Sequence, residues 1–308
     1  MPVERTGGDA ERAIESVLRQ EASFPFELIV VSAKPLQHLP DDNRLRNVIE
    51  PDRNPATRRN RAVSAGSGEI LAFIDDDARA DPLWLATACA WLDSRPDVLA
   101  LGGPDPAPPD STDSELISDT LLATPLIGSG VAAHESRRGI FPIRSASDIA
   151  LVNLFVRRSA FTGFDETIGY IGEDTRLIEQ LMERGAVMYH DGVRVFHRRR
   201  AFPGPYLRQR WRYRVKTGRM MRAGSRSHRR NPKIIAFLAL GTVALVLAPL
   251  VAIPYAVLTL LLSVRVTRLR ASRWWVLPFA FAGHHLVYYF GILWGISSPQ
   301  EKQTHAGS

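Results

Sequence analysis

Ile70-Leu71-Ala72-Phe73-Ile74-Asp75-Asp76-Asp77 decides how this chain folds. Five apolar residues have the length and composition of a buried strand, and three carboxylates follow with no spacer. Adjacent like charges repel and resist burial, so the triplet adds nothing to packing. Two readings fit it. In one, hard oxygen donors hold a divalent metal and, through it, a phosphorylated ligand. In the other, the triplet is a solvated turn ahead of a helix that Asp81 caps and Pro82 starts.

Outward from the triplet, helix and strand signals alternate. Ala10, Ala13, Ile14, Val17 and Leu18 share one face of a helix, and Phe26 to Val31 reads as a buried strand. A helix over Pro55 to Ala65 precedes the strand at 69 to 74. A helix over Pro82 to Leu92 and a strand over Val98 to Leu101 follow it. Further on, Ile149 to Val156 reads as a strand and Asp174 to Arg184 as a helix that Gly185 stops, with Leu177, Ile178, Leu181 and Met182 inward. Such alternation predicts an α/β sheet with parallel strands, whose ligands sit at the carboxyl ends of strands, where the triplet lies. The segment from Gly103 to Asp113, rich in Pro and Asp, reads as a loop.

Charge is uneven along the 308 residues. His197 to Lys233 holds 14 Lys or Arg and no Asp or Glu, so the net +7 of the whole chain leaves −7 for the rest. This stretch leads into two apolar segments, Ile234 to Val264 and Trp274 to Ile296. Position therefore favours anionic lipid headgroups over nucleic acid as its partner. The first apolar segment is long for one span, and Pro249 and Pro254 interrupt it. A hairpin or re-entrant pair followed by one full span would keep Arg265, Arg268, Arg270 and Arg273 on the side of the basic connector. His284 and His285 fall inside the last span, where neutral imidazoles facing a partner helix are expected. Cys89 reads as a buried thiol in a reducing compartment. The ratio of 35 Arg to 4 Lys suggests a GC-rich bacterial genome.

The order and spacing of these pieces resemble the inverting glycosyltransferases of family 2. The resemblance runs from Glu11-Arg-Ala-Ile-Glu-Ser-Val-Leu-Arg-Gln20 and Phe26-Glu-Leu-Ile-Val-Val31 through Arg59-Asn60 and Gly68 to Asp77. It continues with Asn153-Leu-Phe-Val-Arg-Arg158, Gly163-Phe-Asp-Glu166, Gly172-Glu-Asp174 and Val195-Phe-His197. It implies a GT-A fold, a Rossmann-like mixed sheet flanked by helices, over residues 1–200. A basic connector over 201–233, a C-terminal α-helical transmembrane region of two or three segments over 234–296 and a polar tail over 297–308 follow.

The resemblance also implies roles. Asp75 and Asp77 would form the DxD pair, with Asp76 as spacer, and Asp75, Asp77 and His197 would be the metal set for Mg²⁺ or Mn²⁺. Arg59, Asn60, Asp75 and Asn153 would serve the nucleotide-diphosphate sugar donor or its adjacent loops. Asp174 would be the general base, and Glu173 would orient the helix start or the acceptor. The C-terminal segments are similar to those of bacterial succinoglycan-type enzymes. That similarity implies a multi-pass inner-membrane protein with a cytoplasmic catalytic domain, building extracellular polysaccharide on a lipid-linked or saccharide acceptor. Three departures stand out. The family's first strand is reduced to Pro2-Val3, which suggests a start further upstream. The acidic pair after the second strand is Ser32-Ala33, which leaves a catalytically silent binding or scaffold subunit as the alternative. The QxxRW element of processive members is missing.

Overall fold

The computed structural model describes residues 1–4, 7–124, 132–135, 137–168, 172–222, 232–266 and 274–298. Arg268, Arg270, Arg273, residues 223–231 of the connector and the tail from 299 lie outside them. The chain divides into two compact units. The first combines Met1–Ser111 with Leu122–Arg198, and the second combines Thr112–Leu121 with the chain from Arg199. The division along the later part of the chain falls after Arg198. Thr112–Leu121, expected within the first region, belongs to the second. Arg199 Nε donates to the fully buried Asp119 (3.1 Å), and Phe202 N donates to Ser114 O (3.0 Å), which explains the transfer.

In the first unit, α1 (Asp9–Leu18) buries the expected five residues. β1 (Leu28–Ser32) is buried throughout and pairs in parallel with β2 (Leu45–Ile49), a strand the sequence reading did not anticipate. α2 (Pro55–Ala65) starts and stops as expected, because Asn54 Oδ1 caps Ala56 N (3.0 Å) and Pro55 occupies the first turn. β3 (Ile70–Phe73), β4 (Ala78–Ala80), α3 (Trp84–Asp93) and β5 (Val98–Gly102) follow in order. Then come the short α5 (Ala132–Glu135) and β6 (Ile140–Pro142), after α4 (Asp113–Ala123), whose residues up to Leu121 belong to the second unit. β7 (Leu154–Arg157), α6 (Glu173–Arg184), β8 (Ala186–His190) and β9 (Val195–His197) complete the unit.

The main sheet has the order β3-β7-β5-β8-β6, and β4 pairs separately with β9. The sheet is mixed, whereas the alternation of elements alone predicted parallel strands. β7 runs antiparallel to both β3 and β5, while β5 and β8 are parallel. Between β6 and β7 lie only two short 3-10 turns, Ala146–Asp148 and Leu151–Asn153, where a strand from Ile149 was expected. β6 runs antiparallel to β8 and so points the same way as β7; the chain reverses between β5 and β6 rather than between β6 and β7. Leu177, Ile178 and Leu181 of α6 are buried against this sheet's core, each contributing about 1.5–3 kcal/mol.

Met1–Val3 lies along β1. Val3 N donates to Val31 O (2.8 Å), Val31 N to Met1 O (2.9 Å) and the Met1 ammonium to Ile29 O (2.9 Å). Burial pushes that ammonium down to about 5. A cavity of about 490 Å³ is walled by Leu28 and Ile29 of β1, Leu71 and Phe73 of β3, and Trp84 and Cys89 of α3. The first strand expected beside β1 is represented by those three residues. Burial raises the Cys89 thiol to about 11, which keeps it protonated.

In the second unit, α7 (Gly204–Arg222) packs along α10 (Leu277–Ser297) through glycines. A Cβ on Gly218 would lie 2.1 Å from Ile292 O, and one on Gly295 would lie 2.0 Å from Val215 O. Small residues at such a seam let two helix backbones approach closely. Gly218→Val therefore separates the helices. A loss of about 1–3 kcal/mol from overpacking is expected, read as a lower thermal midpoint and faster tryptic cleavage within α7.

α8 (Pro232–Val246) and α9 (Ala248–Val266) are separated at Leu247. Pro249 is the second residue of α9, but Pro254 lies inside that helix, so only the first of the two expected interruptions breaks the segment. Trp274–Ser297 is long and apolar enough to cross a membrane, with mean hydropathy 1.4, whereas Ile234–Val246 and Leu250–Val264 are shorter apolar helices. Leu240, Val246, Leu250, Ile253 and Phe279 are each 70–75% exposed, an apolar surface suited to lipid. His284 Nδ1 meets Tyr206 OH (2.7 Å), and His285 Nδ1 meets Tyr255 OH (2.8 Å), so both imidazoles face a neighbouring helix.

Candidate active site

β3 delivers the triplet to its carboxyl end, and Ala78 N donates to Asp75 O (3.2 Å), folding the acids into a tight turn. The outer carboxylates turn to different partners. Asp75 Oδ1 accepts from Arg59 (3.3 Å), whose guanidinium also donates to Glu173 Oε1 (2.8 Å). Arg59 stands on α2 with its side chain 11% exposed, 5.8 Å from the Phe164 ring centre. One buried cation thus joins the strand-end acids to the start of α6. A single partner lost from such a network leaves a buried charge without compensation.

α6 begins at Glu173, one residue before the expected start. Gly172 adopts φ 102°, a left-handed conformation that a side chain would strain, and it sets both acids in the first helical turn. There the exposed N–H groups favour negative charge. Burial and the neighbouring Asp174 push the Glu173 carboxyl above its ordinary range, against the pull of Arg59. Glu173 Oε2 is buried with no partner among the described residues. Asp174 is partly exposed, and its Oδ1 accepts from Thr175 N (2.7 Å) and Thr175 Oγ1 (3.3 Å).

Asp77 Oδ1 lies 3.2 Å from His197 Nε2 at the end of β9, and the antiparallel β4–β9 pairing brings the two together. His197 Nδ1 is 3.5 Å from Asp105 Oδ2, and the other Asp105 oxygen is 2.7 Å from His134 Nδ1. Asp105 and His134 did not emerge from the sequence. The available signal was that Asp105 follows the carboxyl end of β5, the same sheet end as the triplet.

Asp76, expected as a spacer, has a strongly perturbed carboxyl. Burial first, and then the charges of Asp77 and Asp75, raise its carboxyl to about 6. A raised acid binds its proton more tightly in the folded state. Its contribution is favourable below the ordinary value of 3.8, is lost as pH rises to about 6, and is constant above. In the metal-free protein Asp76→Asn is therefore expected to raise the thermal midpoint at pH values above 6. The gain should shrink toward pH 4, as thermal melts across that range will show.

Asn60 and Asn153 serve the loops. Asn60 Nδ2 donates to Phe164 O (2.9 Å) and Glu166 Oε1 (2.7 Å), and its Oδ1 accepts from Phe164 N (2.8 Å). Asn153 is fully buried and gives its amide to Pro104 O (3.0 Å) and Val193 O (2.7 Å), while Trp84 Nε1 donates to its Oδ1 (2.8 Å). Asn153, expected to serve the donor or its adjacent loops, spends its polar atoms on the protein. Ser32, at the end of β1, is buried and bonded to Lys34 O (2.7 Å) and Asn47 Nδ2 (2.8 Å).

No group of three His, Cys, Asp or Glu side chains among the described residues is arranged to hold a metal ion. The expected set of Asp75, Asp77 and His197 is therefore not assembled: Asp77 and His197 are paired, and Asp75 is engaged by Arg59. Crowded carboxylates separate toward different partners because their mutual repulsion is then least. The Asp77–His197 pair nevertheless offers a hard oxygen and an imidazole nitrogen, both partly exposed, a donor set that suits Mg²⁺ or Mn²⁺.

Residues 5–146 match the sequence profile of Glycosyl transferase family 2. That span holds Arg59, Asn60, the triplet, Asp105 and His134, while Glu173, Asp174 and His197 lie beyond it. Over 98 residues the chain is 32% identical to the glucosyl-dolichyl phosphate glucuronosyltransferase of Haloferax volcanii, which covers 29% of this chain and 31% of that protein. The mannosyltransferase PcManGT from Pyrobaculum calidifontis, solved in complex with GDP-Man and Mn²⁺, has a similar fold. Its TM-score is 0.54 at 19% identity, over 93% of this chain and 85% of that one. Residues 1–349 of S. aureus TarS align with a TM-score of 0.45 at 13% identity, over 95% of this chain and 88% of that one. Residues 5–146 thus resemble glycosyl transferase family 2, and the mixed sheet flanked by helices, with acids gathered at the end of β3, resembles the GT-A fold.

Proposed function

We propose that this chain transfers one sugar at a time from a nucleotide-diphosphate sugar to a hydroxyl of a lipid-linked saccharide, inverting the anomeric centre. The observation that carries this reading is the Arg59 bridge from Asp75 to Glu173, which ties the acids at the end of β3 to the helix turn bearing Asp174. Asp77 and His197 would hold Mn²⁺ or Mg²⁺. The ion supplies neutralisation of the charge that develops on the departing diphosphate. Asp174 accepts the proton of the acceptor hydroxyl as its oxygen bonds to the anomeric carbon and the glycosyl–phosphate bond opposite breaks. Arg59 and Glu173 hold the first turn of α6 so that the Asp174 carboxylate keeps its place.

The Haloferax relative is named for a lipid-phosphate-linked substrate, and the Pyrobaculum neighbour is described with a nucleotide sugar and Mn²⁺. Both favour the same substrate classes here. The apolar α10 and the seven Lys or Arg of α7, with no acid among its 19 residues, suit a protein held at an anionic membrane surface. We place it, multi-pass, in a bacterial inner membrane with its first unit toward the cytoplasm, in the synthesis of cell-surface or extracellular polysaccharide. The test incubates detergent-solubilised protein with radiolabelled nucleotide sugars, a membrane lipid extract and Mn²⁺. Label passing to the organic phase, and no longer passing when EDTA is added, supports the reading. Binding of donor without transfer or hydrolysis favours a silent scaffold and contradicts it.

A further inference from the structure

Four polar atoms in the seam between α7 and α10 are buried without a partner among the described residues: Arg210 Nε, Arg214 Nε, His284 Nε2 and Tyr288 OH. They belong to one cluster. Arg210 and Arg214 stand one turn apart on α7, and His284 and Tyr288 one turn apart on α10, with the rings of the last two 4.2 Å apart. The Arg214 guanidinium carbon lies 3.7 Å from the centre of the Tyr288 ring, and that of Arg210 lies 4.8 Å from Tyr213 and 5.5 Å from Tyr206. Gly291 makes room for this, since a Cβ there would lie 2.8 Å from Arg214 Cβ.

Buried charge is costly without a counter-charge. Yet neither helix contains an Asp or Glu, and no carboxylate forms an ion pair with Arg210 or Arg214 among the described residues. Asp119, a buried acid of the same unit, is taken by Arg199. Aromatic faces attract a guanidinium but give its N–H groups no lone pair to bond. Tyr206 OH occupies His284 Nδ1 (2.7 Å), so Nε2 is the ring atom left over. Two guanidinium N–H groups and a phenol O–H are therefore donors that lack an acceptor.

We infer that this seam is a phosphate site, which takes the phosphate group of a membrane lipid. One tetrahedral anion supplies both the charge and the several acceptor oxygens that the cluster lacks, and guanidinium N–H groups match its geometry. Arg214 is half-buried, and Arg208, Trp211 and Arg212 on the same helix are exposed, so the cluster borders a surface with the composition of a headgroup layer. Phe279, Leu286 and Phe290 of α10 are exposed as well and offer an apolar face to lipid tails. The inference rests on reading the second unit as seated at a lipid surface, and not on the transfer reaction.

The test adds the full-length protein in neutral detergent to a fluorescent phosphatidic acid and follows its anisotropy. Saturable binding by the parent is expected, weakened at least about tenfold in the double variant Arg210→Gln/Arg214→Gln. Arg208→Gln/Arg212→Gln removes the same charge from exposed positions and is expected to stay within about twofold of the parent. A folded Arg210→Gln/Arg214→Gln that binds as tightly as the parent overturns the inference. Equal weakening by both pairs refutes the built site and leaves the lipid-surface reading standing, whereas a parent that binds no phosphatidic acid refutes both. Inorganic phosphate that displaces the probe at the same concentrations as unlabelled phosphatidic acid overturns the lipid assignment. Where the buried pair cannot be replaced without unfolding, Tyr288→Phe decides. It keeps the ring beside Arg214 and loses only the hydroxyl, so binding about threefold weaker supports the site and unchanged binding overturns it.

Discussion

Asp174→Asn is expected to slow transfer by about 10²–10⁴-fold, the range that a positioned general base contributes. The amide has the shape of the carboxylate and can accept the hydrogen bond from Thr175 N that now reaches Oδ1, so α6 should start as before. What it lacks is the capacity to take a proton. Donor binding depends on the other half of the site, so KM for the donor should stay near the parent value while kcat falls. A variant that lost both in proportion would instead have lost the α6 turn. Steady-state kinetics with a thermal melt alongside distinguishes these outcomes. Full activity in Asp174→Asn would remove the base from the proposed mechanism.

Asp77→Ala is expected to have a comparable effect through the other half. It takes away a hard oxygen beside His197 Nε2, and with it the anchoring of the ion that offsets charge on the leaving diphosphate. Charge stabilisation of this kind is worth several kcal/mol, so kcat is expected to fall about 10³-fold. Raising Mn²⁺ should restore part of the loss if the variant still binds the ion weakly through His197 and substrate phosphates. The fold should persist, because Asp77 is partly exposed and its removal relieves repulsion on Asp76. Assays over a range of Mn²⁺ concentrations check both statements.

Much of the fold was legible because local signals agreed. Asn54-Pro55 and the small residues after it define α2, and the five apolar positions of α1 share a face. The triplet at the end of β3 was legible for a different reason: charge placed at the tip of a core strand conflicts with packing and so points to use. β2 was missed because Leu45-Arg46-Asn47-Val48-Ile49 has only partial alternation and follows a polar loop. α4 was missed because Asp113-Ser114 continued the composition of the loop before it. The direction of β7 follows from the reversal of the chain between β5 and β6, which no periodicity within the strand reports.

The site divides in the same way. Arg59 was named from its place in the sequence, but its bridging of Asp75 and Glu173 is a product of the fold. Asp105 and His134 stand in a Pro-rich loop and a four-residue helix, with no spacing that relates them to His197. Only the β5 loop laid against β9 brings them into one line. Asn153, whose position suggested the donor or its adjacent loops, gives its three side-chain hydrogen bonds to protein.

The most direct test of a single displacement driven by Asp174 is the anomeric configuration of the transferred sugar, read from the anomeric proton coupling of the product by NMR. Attack by an activated hydroxyl opposite the departing diphosphate predicts the configuration opposite to that of the donor. A product that retains the donor's configuration would contradict the account.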